Sequence, residues 1–261
     1  MNIRKTGFLW ILLVLTACNP SDSETDKIES RWNQKYDFIY NVPAIRFHYD
    51  HGVIAGSYVP GQETTEVRFS DVSSYLGHVC LCGAGGYRVS QLAENLLKED
   101  RRSLEKGDFT LISSRDHTVS DVIAFVLGCT RRNDPEKNQY FIDETIEVPK
   151  REYHYFIGYH PQKRAVHVVY RKHLLIGNEQ MDRLWKIELA YDQNPADVDP
   201  SDMKLYRETM VDMVNEVLLG QMEGLFEAKL IDYDKFLSQL SRLKSGSIAH
   251  PQIQPHHHEA P

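Results

Sequence analysis

Cysteine is scarce in this chain of 261 residues, which has four. That is too few for the dense disulfide framework of a small secreted scaffold. Long apolar runs are absent as well. The longest, FLWILLVL at 8–15, is less than half of the ~20 residues that span a bilayer, so no transmembrane helix is expected. There is no excess of positive charge: the net charge is −7, and without a basic stripe no nucleic-acid partner is implied. No internal repeat is present, which excludes solenoids and propellers. The glycine cluster GAGG at 83–86 is not G-x-G-x-x-G, and no Lys-Ser/Thr follows, so a nucleotide-phosphate loop is not indicated. No Ser/His/Asp arrangement stands out from linear order. The remaining composition is ordinary for a globular protein and fits one sizeable domain, or one domain with an appendage.

What is present begins with Arg4 and Lys5, then the apolar run, then Leu15-Thr16-Ala17-Cys18. This order reads as a secretory signal, and the tetrad as a bacterial lipoprotein cleavage box in which Cys18 is acylated. The plainer alternative is a secretory peptide with a chance cysteine. The first reading divides the chain into a signal peptide (1–17), an acylated Cys18 with a flexible polar linker (18–35), a folded domain (36–244) and a disordered His-containing tail (245–261). It places the protein outside the cytoplasm, in the periplasm or at the cell surface, with the membrane as partner through the lipid. Loss of Arg4 and Lys5 with the signal takes the net charge from −7 to −9, so the anchor and not surface charge holds the protein to anionic lipid.

Periodicity gives the fold class. Val89, Leu92, Ala93, Leu96 and Leu97 recur at helical spacing, as do Val119, Val122, Ile123, Val126 and Leu127. Thr118 with Asp121 resembles a capping box, and Gly128 sits where the second helix should stop. Strands are predicted at 109–114, 140–143, 153–159, 165–170 and 184–190, with weak extended character at 67–69 and a hairpin turn at 160–164. Tyr206, Met210, Met213, Val214, Val217 and Leu218 mark one face of a long helix, and 234–243 a shorter one. The expected fold is α+β: a single domain whose helices pack on one face of a largely antiparallel sheet.

Chemistry concentrates at LGHVCLCGAGGY, residues 76–87. His78, Cys80 and Cys82 offer an imidazole and two thiols, a soft ligand set suited to zinc first and to iron or copper next. The glycines are read as allowing a tight turn before a helix starting near Tyr87, whose free N–H groups would lower a nearby thiol pKa. His117, at the start of the second helix, joins the site if the two helices pack side by side. Cys129 lies at the far end of that helix, ~16 Å from Thr118, and is expected to be a small buried residue. With Cys18 acylated, three thiols remain, an odd number. Two alternatives stay open for Cys80 and Cys82: a structural disulfide, and a reducible C-x-C dithiol. Weaker candidates are His48 and His51 around Tyr49-Asp50, His154 and His167 as sheet-face residues, Arg131-Arg132 as a helix end or anion contact, and the terminal His256–His258 as a metal scavenger.

GHVC (77–80) followed by glycines and a helix, and TVSDVIAFVLGCT (118–130), resemble two motifs of the FmdE family, proteins similar to one of the subunits of formylmethanofuran dehydrogenase. The resemblance covers about residues 75–230, with the YHYFIGYHPQKRAVHVVY strand pair suiting the same α+β core. It implies that His78 and Cys80 ligate a metal. The chain departs from the pattern: Leu76 replaces the family's first histidine, Leu81 its proline, and Thr118 the cysteine that opens its second motif. Cys82 and His117 stand nearby in their place. No cysteine follows Cys129, so the zinc finger of many relatives is not expected. The combined expectation is a lipid-anchored metal-binding protein, a metal-dependent enzyme if a coordination position stays open; a thiol redox protein or a non-catalytic interaction lipoprotein are the alternatives. A homodimer is compatible with all three, and a small molecule or the metal itself would be the soluble partner.

Overall fold

The computed structural model describes residues 34–99, 103–132 and 134–246. The signal, Cys18 and most of the linker fall outside them, as does the tail with its histidines. Residues up to Asp37 belong to a separate N-terminal unit, and the architecture below is that of the unit beginning at Phe38.

Among the described residues, strands and helices follow one another in mixed order. Strand β1 (Ile45–His48), the single turn α1 (His51–Ile54), β2 (Thr64–Val67) and α2 (Phe69–Leu76) lead into the long helix α3 (Leu81–Leu97). Next come β3 (Leu104–Glu105), β4 (Phe109–Ser113), α4 (Val119–Leu127), β5 (Tyr140–Ile142), β6 (Glu152–Tyr159) and β7 (Arg164–Arg171). Helices α5 (Gly177–Gln193) and α6 (Pro200–Leu219), strand β8 (Phe226–Ile231) and helix α7 (Tyr233–Gly246) close the unit. The main sheet has the order β5-β4-β6-β7-β8, antiparallel except for the β4–β5 pair, and a small sheet runs β2-β1-β3. This is the expected α+β class.

Strand alternation decides what covers each face. Tyr155 and Ile157 of β6 and Val166, Val168 and Tyr170 of β7 face α3, whose Gly85 lies against the Tyr170 ring. On the reverse face Ile112, Phe156, Gly158 and Ala165 meet Phe236 and Leu240 of α7. The C-terminal helix therefore adds a cover opposite the others.

Three local expectations change. Residues 184–190 are helical, not extended: Met181, Leu184 and Ile187 form a buried stripe at three-residue spacing inside α5. The short segment read alone alternates well enough to mimic a strand, but the longer window favours the helix. Helix α3 starts at Leu81, six residues before the predicted start, and runs through the glycines. None of Gly83, Gly85 and Gly86 has positive φ. They are there for close approach: a Cβ on Gly85 would lie 2.5 Å from the Tyr170 ring, and one on Gly86 would lie 2.6 Å from Val122 Cβ and 2.7 Å from the Val119 carbonyl. The positive φ belongs to Gly77, which ends α2 at +82°. Lastly, Thr118 makes no capping hydrogen bond; it is left-handed itself, at φ 66°. Asp116 caps α4 instead, accepting from the Ser120 N–H at 3.0 Å.

Candidate metal centre

The approach of α3 to α4 at Gly86 sets the site. Because the two helices touch near their first turns, the residues just ahead of each are brought to one place. Cys82, in the first turn of α3, puts its Sγ 3.7 Å from Nδ1 of His117. Two ligands of a tetrahedral zinc, with bonds of about 2.3 Å to sulfur and 2.05 Å to nitrogen, sit roughly 3.6 Å apart. The same contact closes as a thiol–imidazole hydrogen bond. His117 is exposed and Cys82 half-buried, so the pair opens to solvent on the histidine side. The left-handed Thr118 directly behind His117 forms a three-residue turn, with the Val119 N–H bonded to the His117 carbonyl at 2.8 Å. A non-glycine residue in that conformation costs of order 1–2 kcal/mol, and such positions cluster at functional sites.

His78 and Cys80 are nearby in sequence but turned to other tasks. Cys80 is the N-cap of α3, its Sγ accepting the Gly83 N–H at 3.3 Å. His78 is exposed, with Nδ1 3.1 Å from the Leu76 carbonyl. A carbonyl only accepts, so a hydrogen bond here needs the proton on Nδ1, and in the neutral ring Nε2 then carries the ligating lone pair. The four residues His78, Cys80, Cys82 and His117 do not supply three ligand atoms within 4.8 Å of one another. Cys80, Cys82 and Cys129 are all free thiols. Cys129 is buried, Sγ 3.6 Å from the Phe109 carbonyl, and burial pushes its thiol up to about 12.

The helix ends do not lower the thiol pKa values, contrary to the expectation from sequence. Burial pushes the Cys80 thiol up to about 12, with Cys82 adding to the rise and the Gly83 N–H opposing it. Burial also raises Cys82, while Lys172, in the turn Lys172–Leu174 after β7, pulls the other way. At both sulfurs desolvation outweighs the dipole. A bound divalent metal reverses this balance, since a coordinating thiol is deprotonated outright.

Behind His117 lies a hydrogen-bonded wall that no linear motif announced. The Asp116 carboxylate accepts from the Tyr155 hydroxyl at 2.8 Å and from the Ser120 hydroxyl at 2.8 Å. Its burial raises its carboxyl to about 6. On the same sheet face as Tyr155, Tyr153 and Tyr170 pack against each other with ring centroids 6.2 Å apart. The only available signal was the two-residue alternation of β6, which puts Tyr153 and Tyr155 on one face; that this face would meet α3 was not written in the strand.

Among the described residues one group does bring three ligand atoms within 4.8 Å: His48, Asp50 and Glu105. The HYDH segment marked two of these. Glu105 joins them through the parallel β1–β3 bridge, where it is the register partner of His48. His48 Nε2 lies 2.6 Å from an Asp50 side-chain oxygen, and Glu105 accepts the Asp50 backbone N–H at 3.0 Å. With the Asp50 side chain 73% exposed, this is a solvated surface cluster whose groups already partner one another. His51 contacts the Tyr49 ring instead. His154 and His167 sit on the reverse sheet face, 3.1 Å apart between Nδ1 and Nε2.

No family model, no curated protein and no solved structure matches the chain. No helix among the described residues is long and apolar enough to cross a membrane.

Proposed function

We propose that this chain is a lipid-anchored, extracytoplasmic protein that binds one transition-metal ion, zinc in the first instance, through Cys82 and His117. The observation that carries the reading is the 3.7 Å separation of Cys82 Sγ and His117 Nδ1 at paired helix starts, which matches two ligands of one metal. His78, with a free Nε2 on an exposed loop, and Cys80, two residues from Cys82, are the ligands within reach of a loop rearrangement on binding. Thiolate and imidazole together suit zinc, iron or copper(I) and disfavour magnesium or calcium. The resemblance to FmdE-like proteins is retained as part of this proposal, on the two motifs alone. A C-x-C redox cycle is supported less: the thiols are unpaired, and Cys80 Sγ is occupied by the Gly83 N–H.

Elemental analysis of the purified full chain, without an added affinity tag, tests the proposal. About one equivalent of metal is expected, falling below about a tenth in Cys82→Ser and in His117→Ala, because an intact ligand set is needed for affinity. Equal metal content in the wild type and both variants refutes the site. A metal-free wild type that also fails to take up zinc or cobalt leaves the interaction-lipoprotein reading in its place.

A further inference from the structure

Tyr170 is fully buried, and its hydroxyl has no hydrogen-bond partner. Leaving a buried hydroxyl unpaired costs about 1–3 kcal/mol, and most such groups in folded proteins are paired. A phenylalanine would fill the same space without that cost. The position of the ring explains where the hydroxyl can be used. Helix α3 runs antiparallel to β7: Arg164 at the start of the strand donates to the Leu96 carbonyl at the helix end, and Tyr170 near the strand end lies on Gly85 in the first turns. The hydroxyl is thereby held at the Cys82 end of the helix, with the Tyr153 ring beside it. Lys172 follows two residues later and makes no ion pair among the described residues. The Asp116 carboxylate stands one residue before His117, its oxygens engaged by Tyr155 and Ser120.

The geometry points to Tyr170 as an oxyanion-binding residue of the Cys82–His117 site, its hydroxyl donating to a small carboxylate or phosphate ligand whose charge Lys172 and the N-terminus of α3 offset. This rests on the metal reading for the identity of the site, and extends it to the class of molecule the site accepts. A hydroxyl donor, an ammonium group and the positive end of α3 all favour a negatively charged oxygen over a neutral or cationic ligand. Close packing over Gly85 fixes the ring, so the donor is oriented before the ligand arrives.

The test compares the full chain with Tyr170→Phe. Both are loaded with Co(II), titrated with acetate and separately with phosphate, and followed by the cobalt d–d bands. Melting of the metal-free proteins is measured with and without each anion. Equal cobalt binding by the two proteins is expected, together with an anion-dependent change in the wild-type bands that needs about tenfold more anion in Tyr170→Phe, the worth of one charge-assisted hydrogen bond. The metal-free variant should melt no lower than the wild type. The better of the two anions identifies a carboxylate or a phosphate ligand. Cobalt bands that ignore both anions, or shift equally in the two proteins, overturn the oxyanion role while the metal site stands. If neither protein binds cobalt, the metal reading fails. The oxyanion role is then decided by melting alone: an anion-dependent rise in wild type that Tyr170→Phe lacks supports it, and no difference overturns it.

Discussion

Gly86→Ala is the sharpest probe of how the fold builds the site. The added methyl would lie 2.6 Å from Val122 Cβ, 2.8 Å from Val122 Cγ1 and 2.7 Å from the Val119 carbonyl oxygen. A side chain can rotate away from such a contact, but the carbonyl belongs to the first turn of α4 and cannot. Restoring ordinary separation requires the helices to part by about 1 Å at this level. Overpacking of this kind costs up to about 3 kcal/mol, and replacing glycine by alanine inside a helix returns about 1 kcal/mol. The net expectation is destabilisation by about 2 kcal/mol, or a fall in Tm of roughly 4–8 °C for a domain of this size. The same displacement lies between Cys82 and His117, so metal affinity should drop by more than about tenfold even though neither ligand is touched. Differential scanning calorimetry and competitive zinc titration against a chromophoric chelator read the two effects. A Gly86→Ala protein as stable as wild type, or one that loses stability and keeps full zinc affinity, refutes the argument that this helix contact sets the ligand spacing.

Two further outcomes are expected elsewhere in the molecule. His167, stacked on Phe156 and facing His154, Lys229, Arg171 and Glu227, is held down to about 4 by burial and then by His154. A histidine with a depressed folded pKa contributes stability that is complete above its unfolded value near 6.5 and is lost as the pH falls toward 4. Urea unfolding should therefore show a decline of about 1–2 kcal/mol across that window for this half-buried ring, flattened in His167→Gln; an unchanged slope in the variant refutes the assignment. Asp143 is fully buried and accepts from Thr145, Gln239 and Arg242, tying the loop after β5 to α7. Asp143→Ala leaves those donors facing a void and should cost about 2–4 kcal/mol, measured by chemical denaturation. A loss below about 1 kcal/mol, the net worth of a single ordinary hydrogen bond, would show that α7 docks by its Phe236–Leu240 face alone.

The helices carrying Val89–Leu97 and Val119–Leu127 were legible because their apolar residues recur at 3.6-residue spacing over two turns or more, and the β6–β7 hairpin because two β-rich runs flank a short polar turn. Strand β8 was not, since Glu227, Lys229 and an exposed Leu230 give an edge strand little apolar signal. The glycines of α3 were misread because a sequence shows that a Cβ is missing but not what occupies its place. Here that is the Tyr170 ring and the backbone of α4.

By itself, the sequence determined the kinds of group available: soft ligands bunched at 78–82, an imidazole at 117, and two amphipathic helices following them. These are local properties, fixed by side-chain chemistry and helical period. Only the tertiary structure decided which groups meet. It brought Cys82 to His117, turned Cys80 into a helix cap and His78 toward a carbonyl, raised the thiol pKa values by burial, and set Tyr170 and Asp116 behind the pair. The Cys80 cap and the His78 contact span only three and two residues, but the meeting of Cys82 with His117 and of both with the sheet joins segments dozens of residues apart, and such a contact is chosen by the packing of whole elements.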